Sequence, residues 1–328
     1  MMVLRAGLAG LGVMGRNHAR VLSSLEGVEL VGVADADGNR QGAIPGVPVV
    51  PDVDSLLALG LDYVVIALPT AFHTEAGMSC AHAGVPALIE KPLAADVAGA
   101  DQLMEAFGAN GVLGAVGHIE RYNPALQQCR ARLENGDLGE VYQVATRRQG
   151  PFPARISDVG VVKDLGTHDI DLTAWVTQQS FVSVAAQTAH RSGRQYEDLV
   201  SITGRLTGGI VTNHLVNWLS PLKERVTVIT GATGAFVVDT LTADLTFYAN
   251  GLVMTHWDTV SRFRGVSEGD VTRYAFAKPE PLRSEHEAFR DAVLGDPSRI
   301  VTLEQGFTTV KVAQAVLDSS RTGATVTL

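Results

Sequence analysis

Cysteine is scarce. Cys80 and Cys129 are the only two in 328 residues, and they form no CxxC pair. That excludes a disulfide framework and a zinc knuckle, and leaves both as reduced packing residues. Long apolar runs are missing too, since none approaches the length that crosses a bilayer. The apolar start "MMVLRAGLAGLGVMG" is broken by glycines and followed by no cleavage site, so it does not read as a signal peptide. Basic charge is in deficit, with 26 Lys and Arg against 35 Asp and Glu and a net charge of −9. Nothing therefore offsets repulsion from phosphates, which excludes a general nucleic-acid binder but leaves room for a local patch that holds a small anion. These absences predict a soluble, cytoplasmic protein with neither nucleic acid nor membrane as partner.

What is present is a globular composition, 46% apolar and 19% charged, in a chain long enough for two domains. In the first third, short apolar runs alternate with helical stretches. Strands are predicted over 3–9, 28–34, 63–68, 87–90 and 112–116, and helices over 15–25, 55–59, 74–83 and 95–107. Unbroken runs such as "YVVIAL" suit a parallel sheet covered on both faces. Beyond residue 118 a helix opened by Asn123 as cap and Pro124 in its first turn runs to about Asn135. A strand begins at Val141 and a further helix ends near Gln178. Strands then follow one another without helices, which implies an antiparallel sheet, and two helices over 283–294 and 303–320 close the chain.

The prediction is an α/β protein: a doubly wound parallel sheet of the Rossmann type over residues 1–120, then an α/β domain over 121–328 with an open, mostly antiparallel sheet. The C-terminal helix is free to pack back on the first domain. Strands such as "GIVTNHLVNWL" carry apolar residues on both faces. One face would meet helices and the other a second subunit, in a homodimer or homotetramer.

"RAGLAGLGVMGRNHARVL" contains Gly10-x-Gly12-x-x-Gly15 directly after a strand and opening a helix. Gly10 permits the tight turn, Gly12 lets a pyrophosphate approach the backbone, and Gly15 lets helix and strand pack closely. The helix start, with Val13, Met14 and Gly15, supplies amide donors and a favourable dipole for phosphates. Asp35 ends the second strand at the distance where a carboxylate accepts from ribose hydroxyls; the plainer alternative is that it only begins a turn. A carboxylate there repels a 2′-phosphate, so NAD is the expected cofactor, while the nearby Arg40 keeps NADP open.

"DVGVVKDLGTHDID", residues 158–171, spends four aspartates and a histidine among Val159, Val161, Val162, Leu165 and Ile170. Helical spacing puts Asp164 and His168 on one face. An acid–base pair, a metal site and a helix cap with scattered charge are the three readings. The metal reading lacks a further His or Cys ligand, so no metal is expected.

At "VLGAVGHIERYNP", "ALIEKPL" and "KDLGTHDIDL" the chain resembles the Gfo/Idh/MocA family of sugar and polyol oxidoreductases, over nearly its whole length. The resemblance implies an N-terminal Rossmann domain and a C-terminal sheet that often mediates oligomerisation. Glu90-Lys91-Pro92 matches the family's EKP motif, whose lysine reaches toward substrate and nicotinamide. Asp164 and His168 match its D-x-x-x-H pair facing the nicotinamide. "LPTAFHTEAG" matches the segment under the cofactor, which makes Pro69, Thr70 and His73 lining residues. "GHIERYNP" followed by "GPFPARISDVGVVKDLGTHDID" is most similar to members acting at C3 of UDP-N-acetyl sugars.

Oxidising a secondary alcohol needs a proton acceptor and a group that stabilises the oxygen. His168 suits the first because imidazole titrates near neutrality, with Asp164 to orient it. Lys91 suits the second. Which of the two takes the proton is left open. "ATRRQGPFPARISD" sets Arg147, Arg148 and Arg155 before this segment, and guanidinium forks suit a diphosphate. Arg155 is the expected substrate ligand, with Arg121 and Tyr122 beside it, while Arg147 and Arg148 divide between site and solvent because strand neighbours point opposite ways. His118 reads equally as a supporting or a buried structural residue. Three functions follow: an NAD(P)-dependent dehydrogenase at C3 of a UDP-N-acetylhexosamine or its uronic acid, an inositol or free-sugar dehydrogenase, and a non-catalytic dinucleotide-sensing regulator.

Overall fold

In the computed structural model, which describes residues 3–38, 44–153, 159–251 and 269–328, the early apolar runs become strands buried from both sides. β1 (Leu4–Ala9), β2 (Val28–Ala34), β3 (Val49–Val50), β4 (Tyr63–Ile66), β5 (Ala87–Glu90) and β6 (Gly114–Gly117) lie in the order 3-2-1-4-5-6. Every neighbouring pair is parallel. This is the Rossmann order, in which dinucleotides bind beyond the strands' C-terminal ends where the order reverses, between β1 and β4.

Alternation along β4 explains the burial. Val64 and Ile66 enter one core with Leu103 and Phe107 of α4 (Val97–Asn110), while Tyr63 and Val65 enter another with Leu22 of α1 (Val13–Leu22). Phe289, on α7 (Pro281–Val293), joins that second core edge-on to Tyr63, ring centroids 5.4 Å apart. A helix from near the end of the chain thus covers the first sheet. This unit consists of the described residues up to Tyr122 together with Val159 and Pro279–Gln314.

Caps set the helix edges. α2 (Val53–Leu57) begins two residues ahead of the predicted helix because the Asp52 carboxylate accepts the Ser55 N–H at 2.8 Å. α3 spans His73–His82. α4 starts after Asp96, which accepts the Gly99 N–H, and ends at Gly111 in the left-handed region (φ +61°). The two-residue β3 was not anticipated.

The second unit runs, Val159 apart, from Asn123 to Lys278 among the described residues and is closed by Ala315–Leu328. α5 (Pro124–Glu134) is capped as anticipated, Asn123 Oδ1 accepting the Ala125 N–H at 3.0 Å. β7 (Val141–Pro151) and α6 (Thr167–Thr177) precede a run of strands: β8 (Phe181–Ala189), β9 (Leu199–Leu206), β10 (Val211–Asn217), β11 (Leu219–Gly231), β12 (Gly234–Asp239), β13 (Asp244–Ala249), β14 (Val271–Arg273) and, after α8 (Leu303–Thr322), β15 (Val326–Thr327). They form one sheet in the order 14-13-12-11-7-10-9-8-15, antiparallel except for the β7–β10 pair. One face is covered: Phe236 and Val238 of β12 are sealed while Ala235 and Val237, alternating with them, are half-exposed.

Cys80 and Cys129 are free and buried, and burial pushes both thiols up to about 12. Among the described residues no helix is long and apolar enough to cross a membrane.

Candidate active site

In the first unit the glycine loop is built as its spacing predicts. Gly10 has φ +98°, and a Cβ on it would lie 2.6 Å from the Ala67 carbonyl oxygen. A Cβ on Gly15 would lie 2.0 Å from the Gly10 carbonyl oxygen, so helix and loop touch here as only glycine allows. Gly12 is different: it is exposed, and a Cβ there would meet nothing within 4 Å. The loop is therefore closed where protein packs and open where a ligand would approach. α1 starts directly after Gly12, its N-cap, with no side chain capping it and no acidic residue in its first turn. The amides of Val13, Met14 and Gly15 are thus available to an anion.

Asp35 ties this loop to β2. One carboxylate oxygen accepts the Leu11 N–H at 2.6 Å and the other the Asp37 N–H at 2.9 Å. A carboxylate has about four acceptor positions, so ribose hydroxyls can still be accommodated. These features fit NAD: an open amide-lined loop for the pyrophosphate and a fixed acceptor for the ribose. Arg40 lies outside the described residues.

Around the EKP motif the structure shows more than its spacing did. Lys91 is half-buried where β5 ends, and the Lys91–Pro92 bond is cis. Pro69 is exposed and Thr70 half-exposed, but His73 is sealed beneath them. Its Nδ1 lies 2.8 Å from the Pro92 carbonyl oxygen and its Nε2 2.9 Å from that of Leu68. His73 thus bridges the segment after β4 to the EKP loop. Burial pulls this imidazole below its ordinary pKa, against the opposing effect of the two carbonyls.

Glu90 is also sealed. Its Oε1 lies 2.9 Å from His18 Nε2, and its Oε2 accepts the Lys91 backbone N–H at 3.0 Å. Burial alone would push this carboxyl up. The His18 hydrogen bond and the charges of His18, Lys91 and His73 outweigh burial and hold it below the ordinary carboxylate range. Arg121 is buried and donates to Gln305 Oε1 at 2.7 Å, while the Tyr122 hydroxyl donates to the Arg299 carbonyl at 2.9 Å. His118 is buried.

In the second unit Asp164 and His168 do not share a regular α-helix. Residues Val162–Gly166 form a π-turn, with the Thr167 N–H reaching the Val162 carbonyl, and His168 is the second residue of α6. The wider turn changes the simple one-face picture that a four-residue spacing suggests. Asp164 is buried and His168 half-buried. Glu197, thirty-five residues away, holds the start of the segment: its Oε1 accepts the Val162 N–H and its backbone carbonyl the Val161 N–H, each at 3.0 Å. Gly160 lies against it: a Cβ there would fall 2.1 Å from that carboxylate and would displace it from this position.

The arginine cluster is mostly committed elsewhere. Arg148 faces inward on β7 and its Nε donates to buried Asp169 at 2.8 Å; Arg147 faces outward, 2.9 Å from Glu224. Asp158 and Arg155, the expected substrate ligand, lie outside the described residues. Among the described residues no group of three or more His, Cys, Asp or Glu is placed to hold a metal.

Sequence reasoning missed His18, His286 and Glu197. Each acts on a residue far away along the chain, so no local spacing marks it.

Comparison with known proteins agrees with this fold. Residues 4–118 match the family described as "Oxidoreductase family, NAD-binding Rossmann fold", and residues 126–237 match "GFO/IDH/MocA C-terminal domain". UDP-N-acetylglucosamine 3-dehydrogenase of Acidithiobacillus ferrooxidans is 30% identical over 89% of this chain and 90% of its own. Its solved structure superposes with a TM-score of 0.85 at 28% identity, covering 98% of this chain and 99% of that one. Inositol 2-dehydrogenase 2 of Saccharopolyspora erythraea is 27% identical over 99% of this chain and 95% of its own.

Proposed function

Since the chain belongs to the Gfo/Idh/MocA family of NAD-dependent oxidoreductases, we propose that it oxidises the C3 hydroxyl of a UDP-N-acetylhexosamine or its uronic acid. One observation carries this choice of substrate. The UDP-N-acetylglucosamine 3-dehydrogenase is similar over nearly the whole chain in both sequence and fold. The lead-in "GPFPARISDVGVVKDLGTHDID", which includes Arg155, supports the same reading.

NAD, when bound, supplies the hydride acceptor. Gly10, Gly12, Val13, Met14 and Gly15 take its pyrophosphate and Asp35 its adenosine ribose, while Pro69, Thr70, Glu90 and Pro92 shape the loops on the nicotinamide side, with His73 locking them beneath. The carbon loses a hydride and the hydroxyl a proton, leaving a ketone. Lys91 and His168 handle that proton and the developing negative oxygen; Asp164 orients the imidazole and stabilises its cationic form. Arg155, Arg121 and Tyr122 bind the substrate. The enzyme works in the cytoplasm, in keeping with its free cysteines, as a homodimer or homotetramer through the outward face of the nine-stranded sheet. There Leu215 and Val226 flank Arg147, and Val228 lies beside Ala145.

A second reading, an inositol or free-sugar dehydrogenase, is favoured by the full-length similarity to inositol 2-dehydrogenase and by the commitment of Arg147 and Arg148 to carboxylates. Absorbance of reduced nicotinamide separates the two. NAD is mixed with UDP-N-acetylglucosamine, its uronic acid or myo-inositol, with an aminotransferase and amino donor added once to draw off the ketone. Turnover of a UDP-sugar that falls about 10²-fold or more in Lys91→Met and in His168→Asn supports the proposal. Turnover of myo-inositol alone replaces it with the second reading.

A further inference from the structure

Behind the EKP loop lies a group of titratable side chains that the proposed chemistry does not use. His18 comes from α1, Glu90 from the end of β5, and Glu285 and His286 from α7; all four are nearly sealed from solvent. His18 Nε2 stands 2.9 Å from Glu90 Oε1, and His18 Nδ1 stands 2.8 Å from His286 Nε2. Glu90 Oε2 then takes the Lys91 backbone N–H. The result is an unbroken line of polar contacts from α7 through α1 to the loop that carries Lys91.

The proton positions follow from the partners. The Glu90 carboxylate only accepts, so a hydrogen lies on His18 Nε2. His286 Nδ1 meets no partner among the described residues. Burial, and next the charge of a protonated His18, hold His286 well below its ordinary pKa, so its own ring is neutral; when His18 is neutral too, His286 Nε2–H donates to His18 Nδ1. In that state both N–H groups point toward Glu90.

Such an arrangement is a poor way to fill a core. Apolar side chains of similar volume would be neutral or better for stability. Glu285 makes matters worse: neither of its oxygens meets a partner among the described residues, and burial followed by the charge on Glu90 drives its carboxyl well above the ordinary range. Costly buried groups gathered at one spot are the mark of a functional demand. Here that spot is the root of the Lys91 loop.

We propose that the His286–His18–Glu90 chain is a positioning device that holds the Glu90 carboxylate in one orientation against Lys91. This rests on the reading that Lys91 serves the reaction. The groups facing Glu90 are His18 from α1, His73 from α3, Glu285 from α7 and Lys91 itself. Removing the His18 donor leaves Glu90 more easily protonated. A protonated Glu90 gives Lys91 no compensating charge, so activity is lost at a higher pH than in the native enzyme.

The test compares His18→Leu with His18→Gln, whose amide can replace the Nε2 donor. With the substrate that shows turnover, His18→Leu should lower kcat/KM at least tenfold and move the acid limb of its pH profile up by about one unit. His18→Gln should bring that limb back to within a few tenths of a unit. A native pH profile in His18→Leu, even in a less stable protein, overturns the proposal. If His18→Leu does not fold, His286→Leu against His286→Gln carries the same comparison. Native turnover in Lys91→Met would instead remove the lysine reading. The chain itself is read without turnover, from nitrogen NMR of histidine-labelled protein. His18 should be the Nε2–H tautomer, and its signals should move in Glu90→Gln; the opposite tautomer overturns the arrangement.

Discussion

Arg148 and Asp169 form an ion pair inside the second unit, Nε to Oδ1 at 2.8 Å, with the side chains 4% and 2% exposed. The contact joins β7 to α6, the helix that presents His168, and it takes a guanidinium out of the basic cluster that precedes that helix.

Cutting this pair from one side should be costly. Arg148→Met leaves the Asp169 carboxylate buried without its counter-ion, and such losses run to about 3–5 kcal/mol. Denaturant unfolding should show a drop of that size. The double variant Arg148→Met/Asp169→Leu should recover much of it, because no charge is then stranded. Equal destabilisation in single and double variants would show that the side chains matter through packing alone.

How legible this was depended on the range over which each residue acts. The glycine loop was readable because its constraints are local: Gly10 needs a positive φ and Gly15 must clear the Gly10 carbonyl five residues earlier. The strands of the first sheet were readable because both faces are covered, which leaves continuous apolar runs. Arg147 and Arg148 were half readable. Their opposite faces follow from strand alternation, but the partners Glu224 and Asp169 were fixed by register and helix placement. The contact from His18 to His286 spans 268 residues and left no local trace. The π-turn at Val162–Gly166 was invisible too, since a D-x-x-x-H spacing looks the same whichever turn carries it.

The two kinds of glycine in the loop predict two kinds of failure. Gly15→Ala forces a methyl against the Gly10 carbonyl, so both melting temperature and NAD affinity should fall, the affinity by tenfold or more. Gly12 has φ −60° and open space around it, so Gly12→Ala should leave stability within about 0.5 kcal/mol. Its NAD affinity should still fall, because the methyl occupies the path by which a pyrophosphate reaches the amides. Calorimetric titration and thermal melts check both. Unchanged affinity in Gly12→Ala would mean that the cofactor does not cross the loop at this point.

His214, on β10, ties the second unit's stability to acid. It is sealed, with Nδ1 2.9 Å from the Thr146 hydroxyl and Nε2 without a partner among the described residues. Burial lowers its pKa to about 4, with only partial opposition from the Asp169 charge. The unfolded chain takes up a proton near pH 6.5, whereas the folded one resists until about pH 4. Stability from this group is therefore complete above about pH 6.5 and is lost as pH falls toward 4, at about 1.4 kcal/mol per unit and about 3 kcal/mol in all. His214→Gln cannot titrate and should flatten that part of the stability curve, whatever it does to stability at pH 7. Urea unfolding at intervals between pH 7 and 4 measures the slope. The same slope in both proteins would assign the acid sensitivity to other groups and would leave His214 with a packing role only.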